Sequence, residues 1–324
     1  MRIQTQSRSR LLASVGSVAN SRTFGNLFIG ICRLIVIVGI SYIVLHPLLT
    51  KLSASFMAEK DLFDITVGWI PRNFTLDNYA NAWRGMEYPR ALLNSISLTL
   101  SVGVLQLMSI TLVGYGFARF NFIGKPVFFG LVLLTLVVPP TLITVPMYLN
   151  FRFFDFFGLA SESALNLIGT HWPFTLPAAT ASGFRNGIFV YIMVQAFRGI
   201  SSELEEAAYI DGAGTFTTFT RVMLPNAVPA LVIVFLFSFV WQWNEYYYVS
   251  MFGGRWLLLP RSLDNLVHEY MQSIGQTGQN PLSGDYASLL QNAGSILLIA
   301  PPVLLYLFTQ KYFIESVERS GLVG

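Results

Sequence analysis

Trp241, Asn244, Glu245 and Tyr248 stand at i, i+3, i+4 and i+7, so on one continuous helix they share a face. Aromatic rings beside a carboxamide and a carboxylate suit a sugar, whose C–H faces lie on rings while its hydroxyls seek hydrogen-bond partners. Two other readings of this face stand beside that one: packing against a partner subunit, and an aromatic belt at a membrane interface. Chemistry of the bond-breaking kind finds no support. His46, His171 and His268 are far apart, without a His-Glu-x-x-His pair, and there is no Gly-x-Ser-x-Gly elbow. Gly124-Lys125 runs into Pro126, so no phosphate-cradling Walker loop exists. Cys32 is the only cysteine, which excludes an intrachain disulfide and a cysteine metal site. The chain is read as no enzyme, with no catalytic residue, no metal and no cofactor of its own.

A second group of residues has the pattern of a device. From Ser201 to Pro225 a polar stretch interrupts an otherwise apolar chain. Ser202-Glu203-Leu204-Glu205 fits a capping box, the Ser202 hydroxyl accepting from the Glu205 amide and the Glu205 carboxylate reaching back, so a helix is expected to start here. Asp211-Gly212-Ala213-Gly214 should end it after two to three turns, because glycine takes the left-handed conformation that closes helices. A second short helix from about Thr215 should stop at Met223, since Pro225 disfavours helix at Leu224. Helix, glycine turn, helix and stop make more than a plain connection needs, so the segment is a candidate docking surface; a helix lying on the membrane surface is the blander reading.

The elements that must carry these residues are membrane spans. Of 324 residues, 53% are hydrophobic and 11% charged, far below the roughly 25% charge of soluble domains. The net charge of +3 comes from scattered single basic residues rather than an aromatic-interleaved cluster, which argues for loops facing membrane lipid and against nucleic acid. A crossing helix needs roughly 20 mostly apolar residues. Leu34 to Thr50, Ala91 to Ala118, Pro126 to Phe151, Val222 to Asn244 and Tyr286 to Gln310 meet or approach that, and a span near Asn186 to Phe197, either short or extended upstream through Gly183, makes six. The first is expected to be retained rather than cleaved as a signal. Six spans place both termini on one side, and the Lys/Arg distribution narrowly favours the cytoplasm. Pro139, Pro140 and Pro146 in the third span and Pro301 and Pro302 in the sixth are expected to kink their helices. Small and hydroxyl residues in the second span, from Ser95 through Gly103 to Gly114 and Gly116, predict close helix packing. Gln106, Gln195 and Asn292 read as helix-to-helix hydrogen bonds.

Glu206-Ala207-Ala208, then Asp211-Gly212-Ala213, then Met223-Leu224-Pro225 resembles the EAA loop of permease subunits in binding-protein-dependent ABC importers. Asn94-Ser95, Gly114-Tyr115-Gly116-Phe117-Ala118-Arg119, Val138-Pro139-Pro140 and Trp243-Asn244-Glu245 are similar to the sugar-importing branch, of the six-span maltose-transporter type, as is Ile70 to Tyr79 in the first outer loop. The likeness covers roughly Tyr42 to the C-terminus and departs from the pattern between Trp172 and Arg198. It implies an all-α membrane fold of about six transmembrane helices with a cytoplasmic helix-turn-helix coupling loop. It implies a cytoplasmic tail over 1–26, a permease domain over 27–310 with the coupling loop at 201–225, and a cytoplasmic C-terminal tail over 311–324. The implied function is the permease of an ATP-driven importer for a sugar or oligosaccharide, in a bacterial plasma membrane. The implied partners are a second permease, an ATPase dimer that alone holds ATP and magnesium, and an extracytoplasmic substrate-binding protein. By motif position Glu206 would anchor the loop in the ATPase, Ala207 and Ala208 would allow close approach, and Gly212 would make the turn, with Asp211, Leu224 and Pro225 completing the coupling set. A secondary transporter or channel is the alternative, although two related halves and ionisable residues within spans are not evident.

Overall fold

In the computed structural model the described residues are 4–155, 165–183, 185–273 and 284–321, with side chains described within 26–311 except at 273, 284 and 285. Among them the secondary structure is helical apart from two isolated antiparallel bridges, Met57 with Phe74 and Phe154 with Leu165. The chain forms two units, divided after Thr75.

In the first unit, α1 (Gln4–Ser55) is a single helix whose apolar part, Asn26–Ser55, has 30 residues. This is longer than the run from Leu34 to Thr50 expected from charge spacing, because Arg33 sits within the helix without ending it; an arginine stem can lie along an apolar surface while its head reaches polar ground. The helix also passes the expected tail boundary at 26–27 without a break. After α1 the chain doubles back: the Ala58 amide donates to the Asn73 carbonyl at 3.0 Å and the Thr75 amide to the Phe56 carbonyl at 2.9 Å. Asp61 in α2 (Glu59–Leu62) holds this loop, accepting from the Asn73 amide at 2.9 Å and the Asn73 side chain at 2.6 Å. Those donors keep the Asp61 carboxyl below its ordinary value of 3.8.

In the second unit, α3 (Asp77–Gly85) leads into α4 (Tyr88–Arg119), the long central helix. It packs on α7 (Trp172–Ala179), α8 (Asn186–Arg198) and α12 (Val228–Trp243). Small residues set the spacing as expected. A Cβ on Gly114 would lie 2.5 Å from the Met193 Cβ of α8, so the two helices meet backbone to side chain there. Ser109 donates to the Ala178 carbonyl at 2.6 Å. Met193, Val194 and Phe197 of α8 form one core with Ile110 and Tyr115 of α4 and Val234 of α12. A second joins α3 and the start of α4 to Trp243, to Leu259 and Leu266 of α14 (Leu259–Ser273), and to Leu290 of α15 (Gly284–Gly321).

The two proline pairs behave differently. At Val138-Pro139-Pro140 the expected third span is cut into α5 (Lys125–Val137) and α6 (Pro140–Arg152), which meet at 102°. Val138 and Pro139 each precede a proline and are pushed into extended backbone, with ψ of 119° and 128°. The kink expected from sequence is thus a full break. In α15, by contrast, the helix continues unbroken through Pro301 and Pro302. The missing amides free the carbonyls four residues earlier, those of Leu297 and Leu298. Tyr88 Oη donates to the Leu297 carbonyl at 3.0 Å and Trp243 Nε1 to that of Leu298 at 2.9 Å, so both freed acceptors are met by neighbouring helices. Trp243→Phe keeps a smaller aromatic ring at this buried site and strands one of them. We expect a loss of about 1–3 kcal/mol, read as a lower midpoint of thermal unfolding in detergent; an unchanged midpoint would refute this account of the proline pair.

By length and apolarity, Asn26–Ser55, Tyr88–Arg119 and Tyr286–Lys311 can each cross a membrane, and two bent pairs are further candidates. The fourth expected span is α8 alone. It has 13 residues, about 20 Å, and does not extend upstream through Gly183, because Arg185 takes a left-handed conformation at φ 66°.

Candidate functional site

The polar segment forms α9 (Ser202–Ile210), a turn, α10 (Thr215–Thr218), one wide π turn at Phe219–Met223, and α11 (Leu224–Asn226). Its start corrects the capping-box reading. The cap is Ser201, whose hydroxyl accepts from the Glu203 amide at 3.3 Å, and this moves Glu205 one position deeper into the helix than a box requires. The Glu205 carboxylate is drawn elsewhere. Tyr115 Oη donates to its Oε1 at 3.0 Å, and Arg119 Nε lies 3.1 Å from Oε2, with the two charged side chains only 15% and 10% exposed. Arg119 also donates through Nη2 to the Ile200 carbonyl at 2.5 Å. The last turn of α4 therefore grips the start of α9.

The adjacent residues face the other way. Glu206 and Ala207 are exposed and Ala208 is half-buried. No ion pair of Glu206 exists among the described residues. Asp211 caps α9, exposed, and Gly212 turns the chain at φ 82° with open space on its Cβ side. The Ala213 amide closes the turn on the Ala208 carbonyl at 2.9 Å.

The proline stop expected at Met223 does not occur. Leu224 is helical at φ −64°, ψ −45°, and its amide reaches back five residues to the Phe219 carbonyl. That wider ring shifts the register ahead of Pro225, which enters α11 near its start, where a missing amide matters least. Leu224 is half-buried and Pro225 exposed. The chain bends instead at Ala227, where Thr215–Asn226 meets Val228–Trp243 at 75°. The expected fifth span, Val222 to Asn244, is therefore bent within its first turns, and its straight part is Val228–Trp243.

The expected face of Trp241, Asn244, Glu245 and Tyr248 is not one face, because α12 ends at Trp243. Glu245 is extended at ψ 91° and caps α13 (Tyr246–Phe252), accepting from the Tyr248 amide at 3.4 Å. Asn244 is exposed and donates back to the Val240 carbonyl at 2.8 Å. Trp241, Glu245 and buried Tyr248 still converge on one small cavity of about 50 Å³ with Gln106, Arg185, Ser238 and Gln242. That is room for a water or two, not for a sugar ring. Arg185 organises it: its guanidinium lies 5.0 Å from the Trp241 ring centre and 3.8 Å from Glu245 Oε2. Gln106 donates to the Asn186 carboxamide oxygen and accepts from the Ser238 hydroxyl, joining α4, α8 and α12 as expected of a helix-to-helix bond. Gln195 is exposed instead.

A ligand-sized space lies next door. A cavity of about 580 Å³ opens at the α5/α6 break, lined by Val138, Pro140, Thr180, Ser182, Arg185 and Asn186 among others. Arg185 borders both cavities. It lies in the stretch from Trp172 to Arg198 where the sequence follows no familiar pattern, and only the Pro139-Pro140 pair hinted that a span would open there.

The family described as binding-protein-dependent transport system inner membrane component matches residues 110–313. The chain is 30% identical over 290 residues to the arabinooligosaccharides transport system permease protein AraQ of Halalkalibacterium halodurans, covering 88% of this chain and 93% of that one. It is 26% identical over 282 residues to the diacetylchitobiose uptake system permease protein NgcG of Streptomyces coelicolor, covering 86% and 84%. Its fold is shared, at a TM-score of 0.67 and 21% identity over 88% of this chain and 96% of the other, with a chain in the crystal structure of a bacterial ABC transporter involved in the import of the acidic polysaccharide alginate.

Proposed function

The chain belongs to the binding-protein-dependent transport system inner membrane components, and from that membership we propose that it imports a sugar or oligosaccharide as one of two permease subunits, driven by a separate ATPase docked on Glu206 to Gly212. Family membership makes it a membrane permease without an ATPase of its own, and it gives no support to a secondary transporter or channel. The observation that carries the docking role is the division of labour in α9: Glu205 is buried against α4, while Glu206, Ala207, Asp211 and Gly212 are left exposed on a short helix and its turn. An acidic, small-residue surface of this kind suits insertion into a cleft of a partner protein. Leu224 and Pro225 lie behind it at the return to α12. The ATPase dimer supplies ATP and magnesium, an extracytoplasmic binding protein delivers the substrate, and the docking loop and both termini lie in the cytoplasm of a multi-pass protein of the bacterial plasma membrane.

Relatives named for arabinooligosaccharides and diacetylchitobiose support the substrate class. Arg185, held by Trp241 and Glu245, borders the larger opening and would meet a sugar there, while Trp241, Glu245 and Tyr248 line the small polar cavity next to it; Asn244 lies outside that group. The test is reconstitution with the partner permease, ATPase and binding protein in vesicles loaded with ATP on the ATPase side, offered labelled arabino-oligosaccharides and diacetylchitobiose. Accumulation that requires ATP hydrolysis is expected. Uptake driven by an ion gradient without ATP would overturn the proposal.

A further inference from the structure

We infer that Glu205 is the pin through which movement of the docking segment enters the helix bundle, with α4 as the element it drives; this rests on the docking role proposed above. Two routes lead forward from the segment into the membrane helices. The covalent one passes through the π turn at Phe219–Met223 and the 75° bend before Val228, a register change followed by a break. Such a path is no straight lever, although Phe219 and Met223 seat its first turn in the same core as Ile110 and Tyr115 of α4. The second is short and closed: the buried Glu205 carboxylate between Tyr115 and Arg119, with Arg119 also holding the Ile200 carbonyl just ahead of α9. The Tyr115 ring packs 4.8 Å from that of Phe219 and 5.4 Å from that of Phe197, so α8, α9 and the π turn all bear on the last turns of α4.

What α4 receives it can deliver at a distance. It runs unbroken for 32 residues, about 48 Å. Midway, Gln106 links it to α8 and α12 at the polar cavity. Near its other end, Asn94 donates to the Leu257 carbonyl at 2.9 Å and Ser95 accepts from the Leu259 amide at 2.8 Å, so the start of α14 is tied to it as well. Glu205 touches no substrate and is a positioning residue.

The test uses the complex purified with its ATPase, in a Cys32→Ser background carrying spin labels at Leu93→Cys on α4 and Leu204→Cys on α9, both exposed positions. Pulsed dipolar distances are compared without nucleotide and after trapping with ATP, magnesium and vanadate. With Glu205 intact the α4-to-α9 distance stays fixed while the complex changes state. Glu205→Gln should match it without nucleotide and then shift by roughly 2–5 Å on trapping, the scale of helix slips between packed states. Arg119→Met should behave alike, and exchanging the two charges, Glu205→Arg with Arg119→Glu, should restore the fixed distance. A Glu205→Gln distance that stays fixed on trapping overturns the inference, as does one already displaced without nucleotide, which would mark a role in folding alone. Tyr115→Phe, which removes one hydroxyl, decides the matter if Glu205→Gln does not assemble: a smaller shift on trapping supports the pin and no shift overturns it. A parent complex that binds no ATPase fails the docking proposal instead.

Discussion

Glu206→Lys is expected to lower ATP-driven uptake at least tenfold while leaving the helix bundle intact. Glu206 is exposed and forms no ion pair among the described residues, so reversing its charge removes nothing that holds this chain together. The effect falls on the partner. Close charge pairs across protein interfaces couple by roughly 1.5–7 kcal/mol, and every 1.4 kcal/mol is about a factor of ten in affinity. Even the weak end of that range separates permease from ATPase at limiting concentrations. The adjacent Glu205 makes the contrast internal to one helix turn: Glu205→Lys would place a cation against Arg119 and damage the fold, whereas Glu206→Lys should not. The measurements are ATPase retained on the affinity-purified permease, uptake into vesicles, and the unfolding midpoint. Retained ATPase with unchanged uptake would contradict the docking assignment.

Gly114→Leu should be among the most damaging single changes to the bundle. A Cβ at 114 would stand 2.5 Å from the Met193 Cβ, and 3.3 Å from the Met193 backbone, which no rotamer of Met193 relieves. Gly114→Ala already forces the α4–α8 contact apart and should cost about 1–3 kcal/mol, the usual penalty of overpacking. Leucine adds three further carbons to the same contact, and little folded protein should be recovered. Gly116→Leu, two residues on and facing open space, is the control and should be tolerated. Equal yields of Gly114→Leu and Gly116→Leu in detergent-stable form would refute this view of the crossing.

The sequence reading reached the helical membrane architecture, the short helices with their glycine turn and the close packing of the second span, because each depends on local residue preference or on a count of apolar residues. It missed what depends on a neighbour far along the chain. Pro139-Pro140 and Pro301-Pro302 are the same dipeptide, and nothing nearby announces that Tyr88 and Trp243 rescue one pair and not the other. The capping box at Ser202 failed for a related reason: Glu205 had a stronger offer from Arg119, 86 positions earlier. The stop at Pro225 was cancelled by a single wide turn, which leaves no mark in composition. The Trp241 to Tyr248 face assumed a continuous helix, and the Asn244-Glu245 break divides it.

The broken pair α5 and α6 also bears on how the protein is made. Each helix has 13 residues, about 20 Å, against a hydrocarbon core of roughly 30 Å. Neither is long enough to settle across a bilayer by itself as it leaves the ribosome. The surface that receives α5 belongs to α8, translated some fifty residues later, where the backbone of Gly187 leaves room for Thr135 and Val132. The packing that seats α5 is therefore completed only when a later part of the same chain has been made.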